Sequence, residues 1–366
     1  MSRINTKTYK HDAYLPDLPI VDWKSIGQSA PKIIPFDYSG PDAPLPSADI
    51  VVITWTSAEW AALDHVFVNS GSTRGPYDPT TWRDAWKLYS RNIPKSSAEG
   101  LWGYYLLVGI TDKSGKDKKV LLFKSETHLS HPPYITGLTE MTKCIIEDAK
   151  PEQVYSIGTA GGPTTKTVLG DVALTNSGHI ELRKSQNTGV DYNNQTFTSS
   201  FYPYVDMIPS AEKLFMPLSS VMTEDELNYL IGKLHEEKKD SAPFGYKDLV
   251  NYPLEPSNTD SPKVIEAKDT PLLTTDYYFI AKGNDSAQYS ALEMDDTVIG
   301  HQAGLMGVDY CYVRNISDPV VADTAQDGTS IPDDVRNEWS SLIYETAGFY
   351  TSFNGALTTW AAISGQ

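Results

Sequence analysis

Apolar residues fall in short unbroken runs that alternate with segments of helical period, the pattern of a buried sheet packed between helices. The run ADIVVITW predicts a buried strand, and in the following TSAEWAALDHVF the residues Trp60, Leu63 and Phe67 fall at helical spacing. Beyond a loop-like stretch, SGSTRGPYDPTTWRD, the segments YYLLVGIT and KVLLFK predict strands and TGLTEMTKCIIEDA a one-faced helix. EQVYSIGTAGG reads as a strand closing on a glycine turn. PLLTTDYYFIA reads as a strand, SALEMDDTVIGHQAGLMG as a strand entering a helix, and VDYCYVRNISDPV as a further strand. The last stretch, DDVRNEWSSLIYETAGFYTSFNGALTTWAAI, has the period of a long helix, with a break expected near Asn354 and Gly355.

This alternation predicts a single three-layer α/β domain with a mostly parallel twisted central sheet and helices on both faces. Ligands of such sheets bind beyond the carboxyl ends of the strands. Residues 1–48, rich in Pro, Asp and Tyr and without a sustained period, are expected to form an extended N-terminal arm, and 49–366 the domain. Within it, the polar, proline-punctuated region at about 183–270 reads as an insertion carrying one helix, TEDELNYLIGKLHEE.

Composition narrows the partners. Thirty Lys and Arg against 47 Asp and Glu give a formal charge of −17, a field that repels polyanions, so neither nucleic acid nor a membrane is an expected partner. A single nucleotide remains compatible, because a few backbone N–H groups hold one phosphate even on an acidic protein. Cys144 and Cys311 both lie in apolar periodic stretches and read as small buried hydrophobes, not as a disulfide or zinc site. No signal core and no membrane-length apolar run is seen, so a cytoplasmic location is expected.

Three separated segments carry candidate chemistry. IGTAGG (Ile157–Gly162) ends a strand with glycines that let backbone N–H groups approach a ligand, although taken alone a purely structural turn is the better reading. LEMDD (Leu292–Asp296) clusters acids at a strand–helix junction, where a helix-start carboxylate favoured by the dipole accounts for them equally well. RNISDP ends an apolar strand with an acid before proline, which also suits a turn.

In order and type, VYSIGTAGGPTTKTVLGDVAL, TTDYYF and LEMDDTVIGHQAGLMGVDYCYVRNISD resemble the 5′-methylthioadenosine/S-adenosylhomocysteine nucleosidases and their relatives, the purine nucleoside phosphorylases and AMP nucleosidases. The resemblance covers roughly 49–64, 119–182 and 272–321. It implies cleavage of a purine N-glycosidic bond. That reaction builds positive charge on the ribose and negative charge on the base, and so needs an acid near the base, hydroxyl-binding carboxylates near the sugar and a positioned nucleophile.

Carried over by position, the resemblance implies that Asp318 protonates the leaving purine and that Ser317 lies beside it at the base. Glu293, Met294 and Asp295 would face the ribose, Asp295 standing where the family usually has the longer Glu, so that Asp296 is a candidate to share its work. Glu59 would position the attacking water, with Thr159 and Arg314 close to it. Tyr278 and Phe279 would sandwich the base, or serve simply as core aromatics. Gly158, Ala160 and Gly161 would form the backbone turn at the ligand.

The first loop, TWTSAEW, has no Arg, and the strand entering the glycine turn carries Ser156 where phosphorylases have a cationic group. Water is therefore the expected nucleophile, with phosphorolysis and a silent nucleotide-binding module as the alternatives. The turn KSETHLSHPP departs from the family, and His128 within it is a candidate contact for the substrate's 5′-group. His128 and His131 read as loop histidines, not metal ligands. No cofactor or metal is expected, the substrate class is a purine nucleoside or nucleotide, and the resemblance implies a homo-oligomer.

Overall fold

The computed structural model describes residues 15–93, 100–249, 261–279, 281, 285–318, 320–321 and 323–366, so the first 14 residues of the expected arm and residues 250–260 of the expected insertion lie outside the described residues. In chain order the strands are β1 (Lys32–Ile33), β2 (Ile50–Thr54), β3 (Lys87–Tyr89), β4 (Gly103–Thr111), β5 (Asp117–Ser125), β6 (Gln153–Gly161) and β7 (Val172–Thr175). They continue with β8 (Ser177–Glu181), β9 (Thr196–Thr198), β10 (Val264–Glu266), β11 (Leu272–Thr275), β12 (Leu292–Glu293) and β13 (Asp309–Asp318). The helices are α1 (Ser57–Phe67), α2 (Tyr134–Ala149), α3 (Ile208–Glu212), α4 (Glu224–Glu237), α5 (Tyr246–Leu249), α6 (Asp296–Leu305) and α7 (Asp333–Ser364).

Every residue of β2 is buried, and its alternation decides the layering. Ile50 and Val52 face one hydrophobic core, shared with Trp60, Leu63 and Phe67 of α1 and Trp339, Ile343 and Phe353 of α7. Val51 and Ile53 face a second core, shared with Leu138, Met141 and Ile145 of α2 and Val298 and Ile299 of α6. Each such aliphatic side chain contributes roughly 1.5–3 kcal/mol on burial, so a strand buried on both faces belongs at the centre of a sheet. Accordingly β5, β2, β6 and β13 run parallel and side by side. The flanks are mixed: β4 runs antiparallel to β5, and β7 to β13, while β11 pairs in parallel with both β12 and β8.

The helix break expected from the sequence does not occur. α7 is continuous from Asp333 to Ser364, without the break expected near Asn354 and Gly355. The Asn354 side chain accepts from the Met216 N–H and donates to the carbonyls of Met216 and Gly170, tying the helix to its neighbours. Gly355 makes room for Asn315, whose Oδ1 would lie 2.7 Å from any added Cβ. Packing thus overrides the helix propensity of both residues. In the region of the expected insertion, Leu227, Leu230 and Leu234 of α4 join the first core, as do Leu18, Val21 and Trp23 of the N-terminal segment. Among the described residues no helix is long and apolar enough to cross a membrane.

Candidate active site

The parallel centre brings the carboxyl ends of β2, β5, β6 and β13 to one edge, and a cavity of about 240 Å³ opens there. Its wall includes Glu59, His128, Thr159, Ala160, Gly161, Tyr278, Phe279, Glu293, Met294, Asp295, Arg314 and Asp318. Segments far apart in the chain therefore converge on one volume. Gly158 and Ser317 sit behind this wall, and Asp296 is fully buried behind it as well.

Glu59 enters at the start of α1 through a reciprocal capping box with Thr56, whose hydroxyl accepts the Glu59 N–H. Its Oε2 accepts from the Thr54 hydroxyl at 3.0 Å and from the N–H groups of Trp55 and Thr56 at 3.0 and 2.8 Å. Its Oε1 accepts from Thr159 N–H at 2.8 Å and from the Thr159 hydroxyl at 2.7 Å. Burial opposes ionisation here, but the Arg314 charge and the donors of Thr159 and Thr56 outweigh it, and the carboxyl titrates below its ordinary value. Glu59 is thus a fixed anion that locks β2 to β6. Gly158 is required for that lock, because a Cβ there would lie 2.7 Å from both Glu59 Oε1 and Arg314 Nη1.

Arg314 projects from β13 and is spent on the protein. Its Nε donates to Asp296 Oδ2 at 2.7 Å, its Nη2 donates to Asp296 Oδ1, and its Nη1 donates to the Thr159 carbonyl at 3.1 Å. Glu293 Oε2 lies 3.3 Å from Nη2, and Trp55 stacks under the guanidinium at 5.1 Å. Ser156 also donates to Asp296 Oδ1. Asp296 therefore holds Arg314 from behind the cavity wall. Adjacent acids take opposite duties because the chain turns from β12 into α6 between them.

Glu293 accepts from the Thr274 hydroxyl and from the N–H groups of Asp295 and Asp296 at 2.6 and 2.9 Å. Asp295 accepts from Leu129 N–H at 2.8 Å through Oδ1 and faces His128 Nε2 at 3.1 Å through Oδ2. His128 Nδ1 accepts from Ser130 N–H at 3.0 Å, which places the ring proton on Nε2 and makes it the donor to Asp295. Burial pushes His128 down to about 4, so the imidazole is neutral. Burial also pushes Asp295 up to about 8, and burial with the adjacent Asp296 charge does the same for Glu293. This end of the cavity holds protons near neutral pH as well as charge, which suits hydroxyl ligands.

Asp318, at the end of β13, accepts from the Ser317 hydroxyl at 2.8 Å on Oδ1. Its Oδ2 lies 3.1 Å from the Tyr278 hydroxyl and 3.3 Å from that of Ser340 on α7. Burial raises its pKa to about 6 against the opposing pull of these three donors. A carboxyl poised there can carry a proton at neutral pH and give it up in a transition state. Ser317 is turned onto Asp318 and the Ala160 carbonyl instead of the cavity. Tyr278 presents its hydroxyl to the acid, and Phe279 packs with Leu273 and Leu292 at the cavity wall.

Sequence reasoning missed several wall or support residues: Trp55, Thr275, Tyr277 and Tyr344 in the wall, and Ser340 behind it. Ser340 and Tyr344 lie one turn apart on α7, so that Tyr344, in hydrogen-bonding contact with Thr56 and Thr159, serves the Glu59 end while Ser340 serves the Asp318 end. Another unforeseen link joins the stretch after β8 to the site. Buried Asn187 donates to the Leu129 carbonyl and to Asp276, and accepts from Ile135 N–H, clasping the loop that carries His128.

No family model and no curated protein matches the sequence. Among solved structures the chain is similar to 5′-methylthioadenosine/S-adenosylhomocysteine nucleosidase from Neisseria meningitidis, at 12% identity and a TM-score of 0.45, over 87% of this chain and 99% of that one. It is also similar to 5′-methylthioadenosine nucleosidase from Arabidopsis thaliana, at 12% identity and a TM-score of 0.43, over 88% and 97% of the two chains. Futalosine hydrolase of Helicobacter pylori is similar at 12% identity and a TM-score of 0.41, over 85% and 97%.

Proposed function

We propose that this protein is a hydrolytic N-glycosidase of purine nucleosides, in which Asp318 protonates the leaving base and water attacks the sugar. The observation that carries the reading is the gathering of different carboxyls in one cavity: Asp318, whose pKa burial raises to about 6, an ionised carboxylate at Glu59, and Glu293 with Asp295, which can meet sugar hydroxyls. Developing negative charge on the base is met by a proton from Asp318, and developing positive charge on the ribose by the ionised Glu59 in the same cavity. Glu59 is too weak a base to strip a proton from resting water. Its oxygens already accept five hydrogen bonds, so it suits a path in which the sugar cation forms first and the water is oriented by groups that Glu59 fixes, such as Thr159.

Charge also supports water over phosphate. Glu59, Glu293, Asp295 and Asp318 line the cavity against one arginine, and that arginine is held by Asp296 in a bidentate pair. Ser156, where a phosphorylase would place a cation, donates to the same Asp296. Among the described wall residues no free cation is left to hold a phosphate dianion, and the ionised Glu59 repels one. The test incubates the protein with adenosine, methylthioadenosine and AMP, with and without phosphate, and follows free base and ribose 1-phosphate. Base release independent of phosphate supports the proposal. Ribose 1-phosphate would sink the hydrolytic reading, and a lack of turnover on every purine substrate would favour a binding module.

A further inference from the structure

We propose that Tyr278 and Ser340 are positioning residues that hold the leaving-group acid Asp318 through a closed triangle of oxygens. The triangle is formed by Tyr278 hydroxyl to Asp318 Oδ2 at 3.1 Å, Ser340 hydroxyl to the same Oδ2 at 3.3 Å, and the two hydroxyls to each other at 2.9 Å. Its corners come from the segment after β11, from α7 and from the end of β13, so the acid is fixed between three separate elements.

The other oxygen, Oδ1, is taken by Ser317 at 2.8 Å, and the carboxyl is thereby restrained in rotation as well as in place. The remaining titratable group that faces it is Tyr344 of α7, and among the described residues no Lys, Arg or His pairs with it. With no cation near, burial raises the proton affinity of Asp318 and the hydroxyl donors are the groups that oppose it. Removing a donor that favours the ionised form raises the proton affinity of the acid. Loss of a hydrogen bond to a charged group corresponds to a shift of about one pKa unit.

The inference assigns Tyr278 a task different from stacking on the base, since the hydroxyl and not the ring is what reaches Asp318. Tyr278→Phe keeps the ring and removes only the hydroxyl, and Ser340→Ala removes the other corner from a different element. Ser340→Thr restores a hydroxyl. Because the inference rests on the proposed glycosidase role of Asp318, two readouts are taken. One is the pH profile of kcat/KM for base release, and the other is the titration of the Asp318 carboxyl by carbon-13 NMR, assigned with Asp318→Asn.

Activity that depends on protonated Asp318 falls as pH rises through its pKa. In Tyr278→Phe and Ser340→Ala that alkaline limb and the NMR midpoint should both move up by about one unit, with kcat reduced and KM little changed. Ser340→Thr should titrate as the parent does. Midpoints unmoved in both variants would overturn the inference, as would a change confined to KM. A protein without glycosidase activity but with shifted NMR midpoints would remove the functional reading and leave the triangle standing.

Discussion

Replacing Glu59 by Gln is a sharp perturbation, because the carboxylate accepts five hydrogen bonds and has no free face on which an NH2 group is welcome. If the amide nitrogen takes the Oε2 position, it confronts the N–H groups of Trp55 and Thr56. If it takes Oε1, it confronts Thr159 N–H, while the Thr159 hydroxyl can turn to accept. The second arrangement strands one buried backbone donor, at a cost of about 1–3 kcal/mol, and also removes the charge facing Arg314, for about 2–4 kcal/mol together. With an unfolding entropy of roughly 2.1 cal/mol/K per residue over 366 residues, this corresponds to a fall in Tm of about 3–5 °C.

The sign with pH is fixed by the same residue. Glu59 titrates below 4.5 in the folded protein, so its contribution is present above the unfolded value and is lost as pH falls through the folded one. Scanning calorimetry at neutral pH should show the full gap between parent and Glu59→Gln, and the gap should close in strong acid. Base release should fall about 100-fold, since Thr159 and the turn at Gly158 lose their anchor. A variant with unchanged Tm at neutral pH would refute the assignment of Glu59 as the anion that locks β2 to β6.

Three further substitutions bear on other parts of the cavity. Asp318→Asn should reduce the rate by about two to four orders of magnitude with little change in Tm, measured by base release and calorimetry; a near-parental rate removes Asp318 from the chemistry. Asp295→Asn should raise KM about tenfold for a ribonucleoside and leave a 2′,3′-dideoxy analogue little affected, as steady-state kinetics on the pair will show. Asn187→Ala strands buried partners at Leu129, Ile135 and Asp276, and should lower stability by about 1–3 kcal/mol in denaturant titration while raising KM. An unaltered KM would mean that the loop bearing His128 does not depend on this clasp.

The central fold was legible because β2 and its neighbours are buried on both faces, which leaves unbroken apolar runs, and because α1 and α2 keep helical period. The convergence of Glu59, Thr159, Glu293, Arg314 and Asp318 was legible through order and type of motif. What remained hidden lies on elements whose partners are set only by tertiary packing. Ser340 and Tyr344 read as ordinary positions of a long helix until α7 is laid across the ends of β6 and β13. Asp295 and Asp296 are indistinguishable in the sequence, yet one backbone turn sends the first to His128 and the second to Arg314. The break expected at Asn354 and Gly355 was a reading of propensity, and their contacts with Met216, Gly170 and Asn315 reverse it.

The central claim is that water, admitted among carboxyls and beside an arginine already held by Asp296, attacks a ribosyl group whose base leaves with a proton from Asp318. The direct measurement is turnover of a purine nucleoside in oxygen-18 water with phosphate present, followed by mass spectrometry of the sugar product. Rapid analysis should find one labelled oxygen at the anomeric carbon of free ribose, at a rate that phosphate leaves unchanged and that Asp318→Asn lowers by about two to four orders of magnitude. An unlabelled ribose 1-phosphate product, formed at a rate that rises with phosphate, would contradict it.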